Sequence, residues 1–321
     1  MPRLTHFACI ACVVSTFLVF VSGTTIRVVD NLAPVLSAAS SVQARGVAPT
    51  SDIQLAWYDR SGKEIGKLGS PAPFIGASPG VLSPDGKRLA AVIGPQPDIW
   101  VIDLSDGSRR QLTTGGSSPS TPSIAWSPDG SRIVFGVRRG KPGLYVLPTD
   151  GSANENLLIE VENDIGPGMS WSPDNKFIVY ATTAPGTAGD IWALPLTGDR
   201  KPLPILQTTL NEFGPQISPD GKWLAYRKGR TPRADAEIFV RPFPEGSGEW
   251  QISTETGYAV KWRGDSRELF FVKPGFAQLF SVELQVIGSS IQASVPRQLI
   301  PTFGGDYVVS PDGQRFLLLT R

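Results

Sequence analysis

Past residue 12 this chain contains neither histidine nor cysteine. His6, Cys9 and Cys12 are the only ones among 321 residues. Without an imidazole or a thiol, no Ser-His-Asp or Cys-His arrangement can activate a nucleophile. Histidine cannot act as general base, and no zinc site with nitrogen or sulfur ligands can form. A kinase catalytic His-Arg-Asp is excluded for the same reason, and no disulfide can staple the body of the chain. One Gly-x-Ser-x-Gly match occurs, Gly76-Ala77-Ser78-Pro79-Gly80, but the chain beyond residue 12 has no histidine to activate its serine. Lys63, Lys67, Lys87, Lys141 and Lys222 each follow a glycine, but none is followed by Ser or Thr, so there is no phosphate loop. Charge of one sign is lacking too. Lys and Arg number 30 against 29 Asp and Glu, and Arg3 is the only charged residue in the first 23. Such a surface has no built-in attraction to nucleic acid or anionic lipid.

Long apolar runs are nearly absent. The exception is Phe7 to Val21, interrupted only by Ser15 and Thr16. Arg3 and His6 precede it, and Val21-Ser22-Gly23 offers small residues for cleavage. Residues 1–23 therefore read as a secretory signal peptide. The run is about 15 residues, short of the roughly 20 that a spanning helix needs. An uncleaved N-terminal anchor is the alternative. Cys9 and Cys12 lie within the run, not after it as a lipidated cysteine would. Residues 24–52, with Ile26-Arg27-Val28-Val29 as a candidate short strand, are rich in Ala, Ser, Pro and Val without a period. They read as a linker.

What the chain has is repetition. Ser83-Pro84-Asp85-Gly86, Ser127-Pro128-Asp129-Gly130, Ser172-Pro173-Asp174-Asn175, Ser218-Pro219-Asp220-Gly221 and Ser310-Pro311-Asp312-Gly313 are five copies of one phrase. Arg263-Gly264-Asp265-Ser266 is a degenerate sixth. The spacings are 44, 45, 46, 45 and 47 residues. A fixed period of this size marks a repeat architecture. Proline presets φ, aspartate bonds to the local backbone and glycine accepts φ > 0, so each phrase is a turn. Alternating apolar residues flank it, as in Ile133 and Phe135 or Ile99 and Val101, and these make strands. Each unit is then a four-stranded antiparallel meander. A lone meander cannot bury both faces, whereas six stacked radially can. The array also starts out of phase. Gln54–Asp59 and Ile65–Leu68 lack a preceding Ser-Pro-Asp-Gly, and the last Ser-Pro-Asp-Gly is followed only by Gln314–Leu319. The expectation is an all-β, six-bladed β-propeller over residues 53–321, its last blade completed by N-terminal strands.

The unit Trp-Ser-Pro-Asp-Gly, then Asp98-Ile99-Trp100-Val101, then Gln111-Leu112-Thr113 resembles the TolB-type propeller repeat. It is related to the propellers of dipeptidyl peptidase IV-like and prolyl oligopeptidase-like enzymes. Leu196–Pro202, Val240–Pro244 and Trp250–Ser253 are similar to blades in the extracytoplasmic propeller of bacterial receptor-type serine/threonine kinases. The resemblance implies a fold and an extracytoplasmic setting. The peptidase relatives carry their serine on a separate hydrolase domain.

Candidate residues follow the repeat. Asp85, Asp129, Asp174, Asp220 and Asp312, with Gly86, Gly130, Gly221 and Gly313, read as structural turn residues. Calcium takes oxygen ligands, but turn chemistry accounts for these carboxylates, and the blades are expected to hold them far apart. Asp98, Asp190 and Glu237 precede third strands and are expected to bond nearby backbone. Arg263-Gly264-Asp265 matches an adhesion tripeptide, and its register as a turn explains it without adhesion. Trp126, Trp171 and Trp262 share one repeat position with Leu82, Ile217 and Val309, which points to packing between blades. Arg138-Arg139 and Arg227–Arg230 read as solvated loop charges. Variable loops such as Ala181–Gly189 and Lys228–Ala236, and the channel mouth, are the expected places for binding.

The expected function is a non-enzymatic, exported, monomeric binding or scaffolding module for a protein, a peptide or another cell-envelope ligand. No catalytic residue, metal or cofactor is expected, nor any nucleic-acid partner or membrane insertion beyond the leader. The alternatives are a metal-dependent hydrolase or lyase using channel carboxylates, or a fragment of a receptor-type kinase or peptidase.

Overall fold

The computed structural model describes residues 52–320, apart from 76–77, 116–122, 138–139, 184–187, 232–234, 274–277 and 302–304. The signal peptide, the linker up to residue 51 and Arg138-Arg139 lie outside the described residues. Every regular element among the described residues is a strand.

The chain opens with β1 (Ile53–Asp59) and β2 (Glu64–Ala72). Blade 1 follows as β3 (Val81–Leu82), β4 (Arg88–Ile93), β5 (Asp98–Asp103) and β6 (Arg109–Gln111). Blade 2 is β7 (Ile124–Trp126), β8 (Arg132–Val137), β9 (Gly143–Pro148) and β10 (Asn156–Glu160). Blade 3 is β11 (Asp164–Trp171), β12 (Phe177–Thr183), β13 (Gly189–Pro195) and β14 (Leu203–Leu206). Blade 4 is β15 (Asn211–Ile217), β16 (Trp223–Gly229), β17 (Glu237–Pro242) and β18 (Trp250–Gln251). Blade 5 is β19 (Tyr258–Trp262), β20 (Glu268–Lys273), β21 (Gln278–Ile287), β22 (Ser290–Ala293) and β23 (Arg297–Ile300). β24 (Val308–Val309) and β25 (Arg315–Thr320) end the chain.

Closure is by hydrogen bonding. Blade 6 has the order β2-β1-β25-β24, with Gln54 to Asp59 paired antiparallel to Thr320 to Arg315. The first strand of each blade touches the first strand of the next, through β3, β7, β11, β15, β19 and β24, and β24 returns to β3. These six strands form the inner ring. Because each blade is a meander, its turns fall on two faces. The Ser-Pro-Asp-Gly turns lie on one, here the turn face. The blade-to-blade links and the loops between second and third strands lie on the other, the loop face.

The core sits between blades. In β4, Leu89, Ala91 and Ile93 pack towards blade 6, while the alternate Ala90 and Val92 pack towards blade 2. A strand buried on both faces reads as a continuous apolar run, as Leu89–Ile93 does. Six apolar clusters result, one at each joint between neighbouring blades.

Blade 5 departs from the pattern. β21 runs on past the end of β20 and folds back as β22, so residues 284–293 form a projecting hairpin. The strand expected fourth in the blade, β23, then pairs with the lower part of β21. Second strands also reach further than the sequence suggests. Ala181–Thr183 lie in β12 and Lys228-Gly229 in β16, so the variable loops are shorter than expected.

Candidate functional site

The Ser-Pro-Asp-Gly turns come first, because each carries a carboxylate on the turn face. In blade 2, Ser127 Oγ donates to Asp129 Oδ1 at 2.6 Å, and Ser131 N donates to the same oxygen at 3.0 Å. Arg132 N closes the turn on Ser127 Oγ at 2.9 Å. Asp85, Asp174, Asp220 and Asp312 are held likewise by Ser83, Ser172, Ser218 and Ser310. The Ser127 hydroxyl and the Ser131 amide hold Asp129 down to a pKa of about 2. The last turn residue is left-handed in all six copies: Gly86, Gly130, Gly221 and Gly313, but also Asn175 at φ 59° and Ser266 at φ 62°. A left-handed non-glycine residue is uncommon, with asparagine among the tolerated types. Asn175 is further held by Trp171, whose indole N–H donates to its Oδ1 at 2.8 Å.

These turns are not far apart, contrary to the expectation above. Gly264 N donates to Pro311 O at 2.9 Å, and Asp220 N donates to Ser266 Oγ at 3.0 Å. Inner-ring turns of neighbouring blades abut, yet each carboxylate faces back into its own turn. Among the described residues, no group of three or more His, Cys, Asp or Glu is placed to hold a metal. The tryptophans serve the joints. Trp126 Nε1 donates to Val81 O at 2.9 Å and Trp262 Nε1 to Gln216 O at 3.0 Å, each reaching the inner strand of the preceding blade.

The degenerate blade 5 turn is a compensated swap. Elsewhere the residue five after the turn serine is Arg88, Arg132, Phe177, Trp223 or Arg315. In blade 5 arginine stands at the serine position, Arg263, and glutamate at the arginine position, Glu268. Arg263 is paired both with Asp265 through Nε at 2.8 Å and with Glu268 through Nη1 at 2.7 Å. Glu268 is 2% exposed and also receives Arg60 Nη2 at 2.7 Å. The Arg263-Gly264-Asp265 tripeptide is thus folded onto itself. Arg60 belongs to the turn between β1 and β2, so this network ties blade 5 to the closing strands.

Of the third-strand acids, Asp98 and Asp190 accept hydrogen bonds from side chains, Asp190 from Gln207. Asp98 accepts from Thr113 Oγ1 at 3.1 Å and from Gln111 Nε2 at 3.3 Å, both side chains. Thr113 and Ser253, the ends of Gln-Leu-Thr and Gln-Ile-Ser, accept the amides of Ile99 and Ile238, each at 2.9 Å. In the basic stretch of blade 4, Arg230 is exposed as expected, but Arg227 and Lys228 are half-buried and held by the fold. Arg227 Nε donates to Gly257 O at 3.1 Å, and Lys228 pairs with Glu249 and lies over the Phe239 ring.

Where the repeat breaks, a cleft opens. It has a volume of about 1130 Å³ and lies between the blade 5 hairpin and blade 4. Lys222, Trp223 and Ser247 line one side, with Arg267, Glu283 and Val286 on the other. Val286 and Ile287 are 55% and 59% exposed. Ser294 N donates to Glu283 O. By the alternation of an antiparallel ladder, this bond directs the Val286 N–H and C=O away from β22, towards the unpaired edge of β21. Gly288-Ser289, with Gly288 at φ 62°, makes the two-residue hairpin turn. That Gly-Ser pair between apolar residues was the sequence signal for the hairpin.

By fold, the chain resembles a TolB protein of Agrobacterium tumefaciens (TM-score 0.61, 19% identity, 84% of this chain and 98% of that one). TolB of Acinetobacter baumannii gives a TM-score of 0.55 at 16% identity, and the match covers 85% of this chain and 65% of that one. The oligogalacturonate lyase of Vibrio parahaemolyticus gives 0.56 at 13% identity, over 82% and 76%. At these identities the likeness is one of fold. Among curated proteins nothing matches by sequence. The sequence profile of the TolB beta propeller domain matches residues 70–257, more than half of the chain. The chain belongs to the TolB beta propeller domain family.

Proposed function

We propose that this chain is a non-catalytic, extracytoplasmic binding module that holds an extended segment of a partner protein or peptide. The cleft beside the β21–β22 hairpin carries the reading. It is the place where the repeat is broken by a projection, and it joins exposed apolar side chains, a free strand edge and flanking cations. An unpaired edge accepts a further strand through main-chain bonds, with side-chain pockets adding selectivity. The turn carboxylates, by contrast, are committed to their own turns, and the outward apolar pair Val286 and Ile287 has no role in the blade cores.

The test is a pull-down from cell envelope with the full chain, compared with Val286→Asp/Ile287→Asp in the same background. A partner retained by the wild type and lost from the variant, at equal melting temperature, is the expected result. Identical retention by both proteins rules out the cleft as the binding site, and background proteins alone count against a binding module.

A further inference from the structure

At the start of β15, on the loop face between blades 3 and 4, stands a glutamate that the repeat does not require. Glu212 is 0% exposed. Thr208, in the link from blade 3, donates its hydroxyl to Oε1. The second oxygen, Oε2, is buried and has no hydrogen-bond partner among the described residues. A buried ionised carboxylate with an unsatisfied oxygen is costly, and such groups call for a proton, a water or an ion.

The surroundings are short of positive charge. Lys228 lies opposite Glu212 in the β15–β16 ladder, but its ammonium is paired with Glu249 and sits 4.2 Å from the centre of the Phe239 ring. Tyr226 also donates to Glu249. Asp190, on β13 of blade 3, adds a further carboxylate close enough to disfavour ionisation of Glu212. Glu212 and Glu249 therefore share one lysine. Gln207 donates to Asp190, so the link 207–212 contacts both acids. The same corner is fixed on both sides: Gly189 N donates to Asn211 Oδ1 at 3.2 Å, and Asn211 Nδ2 donates to Arg230 O at 2.8 Å. Hence two acids from adjacent blades are held at one joint, and one buried oxygen of Glu212 there has no hydrogen-bond partner among the described residues.

We propose that Glu212 and Asp190 form a binding site for a small hard cation at the joint between blades 3 and 4. Carboxylate and other oxygen donors suit calcium, magnesium or sodium, and none of these needs a histidine or cysteine ligand. Bound there, the cation balances the excess carboxylate charge and cross-links the two blades. A site of two carboxylates is a weak one, in the range where extracellular calcium modules work, about 0.1–1 mM.

The experiment uses the full chain, stripped with chelator and dialysed, with melting followed in calcium, in magnesium and in sodium at equal ionic strength. Binding of a cation to the native state alone raises the wild-type melting temperature by roughly 2–5 °C at a tenfold excess over its dissociation constant. The cation that produces the shift identifies the class. Glu212→Gln, nearly isosteric, is expected to melt at or above the wild type in chelator and to show no cation-specific shift. Asp190→Asn is expected to weaken the response at least tenfold in midpoint concentration. A wild type indifferent to all three cations overturns the proposal, as does a shift that survives in Glu212→Gln. If Glu212→Gln does not fold, the Asp190→Asn titration decides alone, and an unchanged midpoint there overturns it.

Discussion

A single residue type, the turn aspartate, shows how far a local motif can be read without a structure. Serine, aspartate and a left-handed fourth residue form a closed hydrogen-bond set that depends only on residues within five positions of each other, so the sequence states it outright. Its acid dependence follows. The carboxylate of Asp129 has a folded pKa of about 2, below its ordinary 3.8, because the Ser127 hydroxyl and the Ser131 amide favour the ionised form. Its stabilising contribution is complete above about pH 4 and is lost as the pH falls towards 2. Asp312, held by the Ser310 hydroxyl and the Gln314 amide, is lowered in the same direction. Asp129→Asn should cost about 1 kcal/mol at pH 7, as for a lost charge-assisted hydrogen bond at an exposed position. Its melting temperature should then fall less steeply than the wild type's between pH 4 and pH 2. Equal slopes in a pH series of thermal melts would count against this assignment. Glu212 has the opposite sign. Burial raises its pKa, so the destabilisation grows as the pH rises above 4.5 through the raised value. Glutamates such as Glu212 and Glu268 could not be singled out in the sequence. A lone acid in a strand reads as a solvent-facing residue, and only the chain's return from a distant blade buries it.

At the scale of one element, the blade 5 hairpin separates what belongs to the ring from what is added to it. Strand alternation and turn signals made the five continuous meanders legible, because each strand's partner there lies within a few tens of residues. The hairpin was missed because its own pattern, Leu284, Val286 and Ile291 around Gly288-Ser289, continues the alternation of β21 and reads as one loop-linked strand pair. Its stem packs in the joint between blades 4 and 5, where Leu284 and Ile291 are buried. The tip is solvent-exposed. Replacing Val286 and Ile287 at the tip by threonine, which keeps the hairpin register, should therefore change stability by less than about 1 kcal/mol, as surface changes do. Truncating Leu284 or Ile291 to alanine should cost about 2–4 kcal/mol through loss of core volume. Urea denaturation of the three variants checks the contrast. A destabilised tip variant, or an unaffected Leu284→Ala, reverses the division.

For the whole molecule, stability depends on whether the ring is closed. Each joint buries one apolar cluster, so five joints could form in an open array, and the sixth exists only because β1 pairs with β25. The sequence pointed to this closure through its half-units. It did not show the charge network on the turn face that reinforces it. Arg60, from the turn between β1 and β2, reaches buried Glu268 of blade 5 and donates to Gly313 O of blade 6 at 2.9 Å. The swap of Ser for Arg263 and of Arg for Glu268 makes sense here. It places a carboxylate where the closing turn supplies a cation. Removing that carboxylate leaves two arginines without their buried partner, so Glu268→Ala should cost about 3–5 kcal/mol. Arg60→Ala should cost less, about 1–2 kcal/mol, because Arg263 still satisfies Glu268. Deleting residues 53–72 goes further. It exposes the edge of β25 and the apolar surface that Leu55, Leu68 and Ala72 cover at the joint with blade 1. An unpaired edge strand of this kind recruits other chains. The deleted protein should melt well below the intact chain and self-associate, as light scattering coupled to size-exclusion chromatography and thermal melts will show. A deleted chain that stays monomeric with unchanged melting means that the ring draws no stability from its closure.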